Sequence, residues 1–219
     1  MSMKRIMLVI EVVSLFTLTA AAQDTPKGGV FLGYTYSRMN SASNVPAFSS
    51  NGAGGQFAWN LGHWFSAVAD IGSVHNGNIG GNHLDTTLTN FLFGPRISIR
   101  KNSRVTPYFN VLFGGVYGST SVPITLPPGT VVVPPTVNPL STTATNLSNA
   151  VAVRASASQT AFAMTTGGGL DIKINKVVSF RPIGLDYYMT RLQNLRSAND
   201  NNQHNLRYTT GFNFTFGAQ

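Results

Sequence analysis

The sequence predicts an all-β protein: eight antiparallel strands in up-and-down order, closed into a barrel. Three observations carry this. Apolar residues recur at every second position along most of the chain, with no long helical pattern. The connections between these runs alternate long and short without exception. The charges inside the runs fall on one face, opposite the aromatic one.

The strands read in order as follows. "GVFLGYTYS" puts Val30, Leu32, Tyr34 and Tyr36 on one face, and "GGQFAWNL" does the same for Phe57, Trp59 and Leu61. "FSAVADIG" carries Phe65, Ala67, Ala69 and Ile71, and "TLTNFLFGPRISI" carries Phe91, Phe93, Ile97 and Ile99. "VTPYFNVLFGGVYG" aligns Phe109, Val111, Phe113 and Tyr117; "TAFAMTTGGGLDIKI" aligns Phe162, Met164, Leu170 and Ile172. In "VVSFRPIGLDYYMT" the phase breaks: Val178 and Phe180 are even, Leu185, Tyr187 and Met189 odd. One extra residue near Ile183 and Gly184 restores the facing, as a β-bulge does. The last strand, "LRYTTGFNFTF", aligns Leu206, Tyr208, Phe212, Phe214 and Phe216. Small polar residues fill the opposite faces, interrupted by Leu92 and Leu112. Pro95, Pro107 and Pro182 argue for irregular pairing nearby.

Long connections are expected at about residues 39–53, 73–86, 119–158 and 193–205; the short ones are "GHW", "KNSR" and "NK". In an antiparallel meander this sorts loops to one end and tight turns to the other. Residues 119–158 hold six of the 11 prolines and read as a disordered loop, although Val131–Val133 and Ala150–Ala152 could extend the flanking hairpin.

Only 10% of the 219 residues are charged, while 42% are hydrophobic. About 25% charge is usual in a soluble chain. With no cysteine, disulfides and thiolate metal sites are excluded. "MSMKRIMLVIEVVSLFTLTAAAQD" has a basic start, an apolar stretch and a small-residue site, so residues 1–22 read as a secretory leader and 23–219 as one barrel domain. The basic residues are scattered singly, which speaks against nucleic-acid binding.

The charge census decides which face meets lipid. Asp70, Arg96, Asp171, Lys173 and Arg207 share the small-polar face; Arg181 and Asp186 join them if the bulge is real. An Arg facing mid-bilayer lipid costs about 2–4 kcal/mol. A water-exposed exterior would not be built from Phe, Leu and Gly. The barrel is therefore expected to be transmembrane, with these seven residues as a lumen charge network. The alternative use of such a lumen is a gated ion path. Trp59 and Trp64, beside a short turn, form one aromatic girdle; Tyr34, Tyr36, Tyr117 and Tyr187 lie toward the other.

These features together resemble the eight-stranded outer-membrane β-barrels of the OmpA/OmpX type. The C-terminus resembles that family's assembly signal, with Thr210, Gly211, Phe214 and Phe216 in the matching places. The family pattern usually ends on its last aromatic residue, whereas three residues follow Phe216 here. The resemblance implies an outer-membrane location, a structural or surface-interaction role, contact with outer-membrane lipid and lipopolysaccharide, and handling by the β-barrel assembly machinery. A monomer with no cofactor, metal or catalytic residue is expected.

Some barrels of this size modify lipid A. The deacylase type uses a His-Ser-Glu arrangement, and the mature chain has no Glu. His75, His83, Asp85 and Ser73 in one loop are the nearest substitute, while His63 sits at the opposite end. "TTGGGLD" lacks the Lys-Ser/Thr of a phosphate loop. Arg38, Arg154, Arg191 and Arg196 near the loop ends could pair with lipid phosphates.

Overall fold

The alternating faces of these segments can be buried and exposed together only if the sheet closes on itself. The computed structural model describes residues 25–40, 47–79, 84–100, 104–128, 131–132, 145–146, 151–192 and 202–217. Its strands are β1 (Gly28–Met39), β2 (Phe48–Asn60), β3 (Phe65–Asn76), β4 (Asp85–Ser98) and β5 (Val105–Leu126). The short β6 (Val131–Val132) and β7 (Thr145–Asn146) follow, then β8 (Val151–Lys173), β9 (Val178–Thr190) and β10 (Gln203–Phe216). Eight of them form a closed barrel in the order β1-β10-β9-β8-β5-β4-β3-β2, while β6 and β7 pair with each other. The barrel pairings are all antiparallel. The expected leader lies outside the described residues.

The seam is closed by β10 against β1, in register from Gly28–Phe216 to Arg38–Leu206. Phe216 reaches over Gly28, whose added Cβ would lie 2.6 Å from the ring, and stacks on Phe57 of β2 at 6.1 Å. The strand ends at Gly217, with φ of 70°, a conformation that favours glycine.

The short turns are tightly bonded. Leu61 and Gly62 donate to the Phe65 carbonyl between β2 and β3, at 3.0 and 3.2 Å. Between β8 and β9, Asn175 Oδ1 accepts from Val177 and Val178 at 2.8 and 2.7 Å. The β-bulge lies in β9: three steps from Arg181 to Gly184 match two on β10, from Thr209 to Gly211. Thr210 Oγ1 donates to the Arg181 carbonyl at 2.9 Å, and Tyr208 OH to the Pro182 carbonyl at 2.7 Å. Two cross-strand hydroxyls thus satisfy carbonyls at the bulge.

The strands outrun their sequence signal at the loop end. β2 begins at Phe48 rather than near Gly54, and β10 at Gln203. The disordered reading of 119–158 is corrected where the segment is described: Val122–Leu126 pairs with Val151–Ala155, and Val131–Val132 with Thr145–Asn146, while 129–130, 133–144 and 147–150 lie outside the described residues. Val122, Ile124 and Leu126 alternate there in strand fashion, a pattern that the prolines obscured. β9 stops at Thr190, opposite Ala163, and β4 starts at Asp85, opposite Ser121. Among the described residues the β5–β8 pair therefore stands beyond its neighbouring strands as a two-stranded arm.

Candidate functional site: the lumen and the outer belt

The outer face is an apolar belt. Leu32, Ile71, Phe93 and Phe113 are about half exposed and face away from the barrel. Trp59 and Trp64 lie at the turn end, with 45% and 53% exposure; Tyr34, Tyr36, Tyr117 and Tyr187 face outward toward the loop end. Tyr34 donates to Asn51, Tyr36 shares Ser49 with Arg38, and Tyr187 pairs with His204.

Inside, the predicted charges converge from five strands. Arg207 of β10 donates to Asp186 on neighbouring β9 at 2.9 Å and to Asp70 on β3 at 3.0 Å. Asp70 also accepts from Gln56 at 2.7 Å and Asn90 at 2.5 Å. Arg181 grips Asp171 with Nε and Nη2, at 2.7 and 3.3 Å. Gln56 joins the two groups: its Oε1 accepts from Arg96 at 2.6 Å and from Arg181 at 2.9 Å. Three carboxylates thus face three guanidinia. Lys173 takes no place among them: it is exposed at the last position of β8, beside the turn. Leaving it out removes the positive excess that the sequence suggested.

Tyr108 organises the guanidinia. Arg96 and Arg181 lie 4.4 and 4.3 Å from its ring centre, and Arg181 also lies 4.1 Å from Phe31. Such desolvated cation–π contacts hold the charged planes where water cannot. The Tyr108 hydroxyl fits over Gly169 and its cross-strand partner Gly184; a Cβ at either would come within 2.7 or 2.8 Å of it. The "TTGGGLD" glycines are therefore strand residues, of which Gly167 and Gly169 make room inside the barrel for Asp186 and Tyr108. Arg96 Nε, the Asn110 amide, Thr165 Oγ1 and Asp186 Oδ1 are buried with no protein hydrogen-bond partner. Arg96, Asn110, Gly167 and Asp186 occupy consecutive cross-strand positions on β4, β5, β8 and β9.

Toward the loop end the interior turns apolar. Met39, Phe48, Val74, Leu88, Val116 and Leu192 form one buried cluster with Leu92, Leu112 and Ile79. Leu92 and Leu112, which break the polar pattern in the sequence, belong to this collar. Leu192 is held there by Gln203, whose Oε1 accepts from its amide at 2.9 Å.

The histidines do not assemble a nucleophile. His75 contacts Asp85 at 3.2 Å and Thr87 at 3.1 Å, while the Ser73 hydroxyl pairs with Thr89. His83 and Arg196 lie outside the described residues. His63 pairs with Thr25 at the turn end. Arg154 bonds Asp85 at 3.1 Å, and Arg191 bonds Asn202 at 2.8 Å. Among the described residues no His/Asp cluster suits a metal ion. Gln56, Tyr108 and Tyr188 are the interior residues that sequence reading did not single out. The odd-even position of Gln56 was the signal in the sequence; Asp70 lies opposite it on β3, but Arg96 and Arg181 come from β4 and β9.

No protein-family model matches the chain, and no curated protein matches its sequence. Solved structures do. Ail, the attachment invasion locus protein of Yersinia pestis, is 13% identical with a TM-score of 0.53, over 87% of this chain and 99% of that one. Neisserial surface protein A is 12% identical with a TM-score of 0.59, over 87% and 97%. The chain thus has the fold of the eight-stranded outer-membrane β-barrels.

Proposed function

We propose that the chain is a monomeric, non-enzymatic integral protein of the outer membrane, a scaffold whose lumen is closed and whose loop end meets partners. The observation that carries the closed lumen is its filling. The Arg96–Gln56–Arg181 and Asp70–Arg207–Asp186 groups cross the middle, and the apolar collar stops the loop end. An eight-stranded barrel has room inside for little more than its own side chains. The uncharged belt between aromatic girdles supports residence in lipid. The short turns then face the periplasm and the long connections the outside. Thr210, Gly211, Phe214 and Phe216 serve the assembly machinery in this reading.

The expected results are recovery in the outer-membrane fraction, a mobility shift on gels between unheated and heated samples, and no conductance steps in planar bilayers. Recovery in the soluble fraction, or regular single-channel steps, would reject the respective half of the reading. Release of fatty acid from lipid A by the purified protein would reject the non-enzymatic part.

The surface-interaction role draws on the β5–β8 arm. Among the described residues the outer edge of β8 from Val151 to Ala161 has no strand partner. Residues 154–158 are exposed and small apart from Arg154, so a partner backbone can approach. Such an edge suits an added strand from an extended peptide. A peptide library panned on the protein should yield binders that protect the amides of 154–161 from exchange. A variant with 119–158 replaced by Asn-Gly, which removes the exposed part of that edge, should lose them.

A further inference from the structure

We propose that the outer wall over β1–β4 holds one acyl chain of a phosphorylated lipid from the loop-side leaflet. The proposal rests on the reading that this wall faces lipid.

The site begins with two missing side chains. On the outward face, Gly55 of β2 stands between Leu32 and Ile71, and Ala69 of β3 between Phe57 and Phe93. Leu32 and Phe57 rise on one side of them, Ile71 and Phe91 on the other. The result is a cleft of about 600 Å³, within the range of small-molecule sites. Its walls are otherwise aliphatic and aromatic, so only an apolar occupant suits it. The trough continues toward the loop end over Ala53, which is exposed, and Ser73.

A cation stands at its upper end. Arg38 is on the same outward face of β1 as Leu32, six residues above it, and is exposed. Its Nη1 bonds Ser49 at 3.0 Å, and Tyr36 bonds the same hydroxyl at 2.8 Å. No carboxylate pairs with Arg38 among the described residues. Six residues of strand span about 20 Å, and a tilt of about 40° reduces this to about 15 Å of depth. Half of a hydrocarbon core of about 30 Å is the same depth. A phosphate at Arg38 therefore places its acyl chain in the cleft at the membrane centre. The guanidinium supplies charge-assisted hydrogen bonds to phosphate oxygens, and the cleft supplies apolar contact that a flat wall lacks.

The test uses the full chain in detergent micelles, native mass spectrometry, and two probes with identical 14-carbon chains: phosphatidic acid and diacylglycerol. The protein should retain one phosphatidic acid about ten-fold better than diacylglycerol, a difference of about 1.4 kcal/mol. Ala69→Phe fills the cleft and should lower retention of both probes about five-fold or more. Arg38→Ala should abolish the preference for phosphate and leave diacylglycerol retention unchanged. A gel shift on heating checks that each variant is folded. Equal retention of the two probes by the unaltered chain, or unchanged retention in folded Ala69→Phe, would overturn the proposal. Conductance through the lumen would overturn the closed-lumen reading and leave this result untouched.

Discussion

Arg207 and Asp70, 137 residues apart in the chain, meet at 3.0 Å across the barrel interior. Their strands, β10 and β3, are not neighbours in the sheet. The contact therefore ties opposite walls together, and the same guanidinium holds Asp186 on β9. Removing one partner of such a buried group leaves charge uncompensated, at a cost of about 3–5 kcal/mol. Arg207→Leu, which strands two carboxylates, should destabilise the barrel by that order in reversible denaturant unfolding. Adding Asp70→Asn should recover part of the loss, giving a non-additive cycle. Strict additivity would show that the contact contributes nothing specific.

Gly211 tests whether the C-terminal pattern also serves the folded barrel. It faces Gly33 across the closing seam, and a Cβ there would lie 2.3 Å from the Leu32 carbonyl oxygen and 2.4 Å from Gly33 Cα. Backbone on both sides cannot yield as a flexible side chain would. Gly211→Val should fail to close in refolding from denaturant into detergent, where no assembly machinery is present. Thr210→Val should fold, with a loss of about 1 kcal/mol for the missing hydrogen bond to the Arg181 carbonyl. Normal refolding of Gly211→Val would mean that this glycine matters only to an assembly factor.

Tyr108 packs its ring against two guanidinia, so its face is more than filler. Tyr108→Leu should lose about 2 kcal/mol of desolvated cation–π attraction, beyond any packing change. Tyr108→Phe should keep most of it. Denaturant midpoints of the two variants, measured side by side, separate the ring from the hydroxyl. Equal losses would assign the effect to the hydroxyl over Gly169 and Gly184.

Legibility in the sequence followed the lipid. Within the belt, Phe91, Phe93, Phe212, Phe214 and Phe216 had to alternate with small polar residues, and that alternation exposed strands, faces and the β9 bulge. Beyond it, the ladder from Ser119 to Leu126 keeps the alternation in Val122, Ile124 and Leu126, but Pro123, Pro127 and Pro128 punctuate it, so strand read as loop. Inside the barrel the odd-even rule assigned Asp70, Arg96 and Arg207 to the lumen. It could not show that Gln56 bridges Arg96 and Arg181, because those partners come from β4 and β9. Lys173 had the right parity but sits at the strand's last position. The interior was expected to be polar, interrupted by Leu92 and Leu112; these join Leu88 and Val116 to make one end of it apolar.

The position of the two tryptophans gives a last test, of membrane placement itself. Trp59, on the outer face of β2, precedes the β2–β3 turn, and Trp64 is exposed at the end of that turn, just before β3. Trp59 stacks with Phe57 at 6.3 Å, on the edge of the belt. In vesicles both indoles should sit at one interface, since amphipathic rings prefer the headgroup level. Their emission should be blue-shifted, quenched most by lipids brominated near the headgroup and least by lipids brominated at the chain ends. Variants with Trp59→Phe or Trp64→Phe, each retaining one indole, should give the same depth. Quenching by aqueous acrylamide as strong as that of the unfolded chain would place this turn in water and undo the orientation of the barrel in the bilayer.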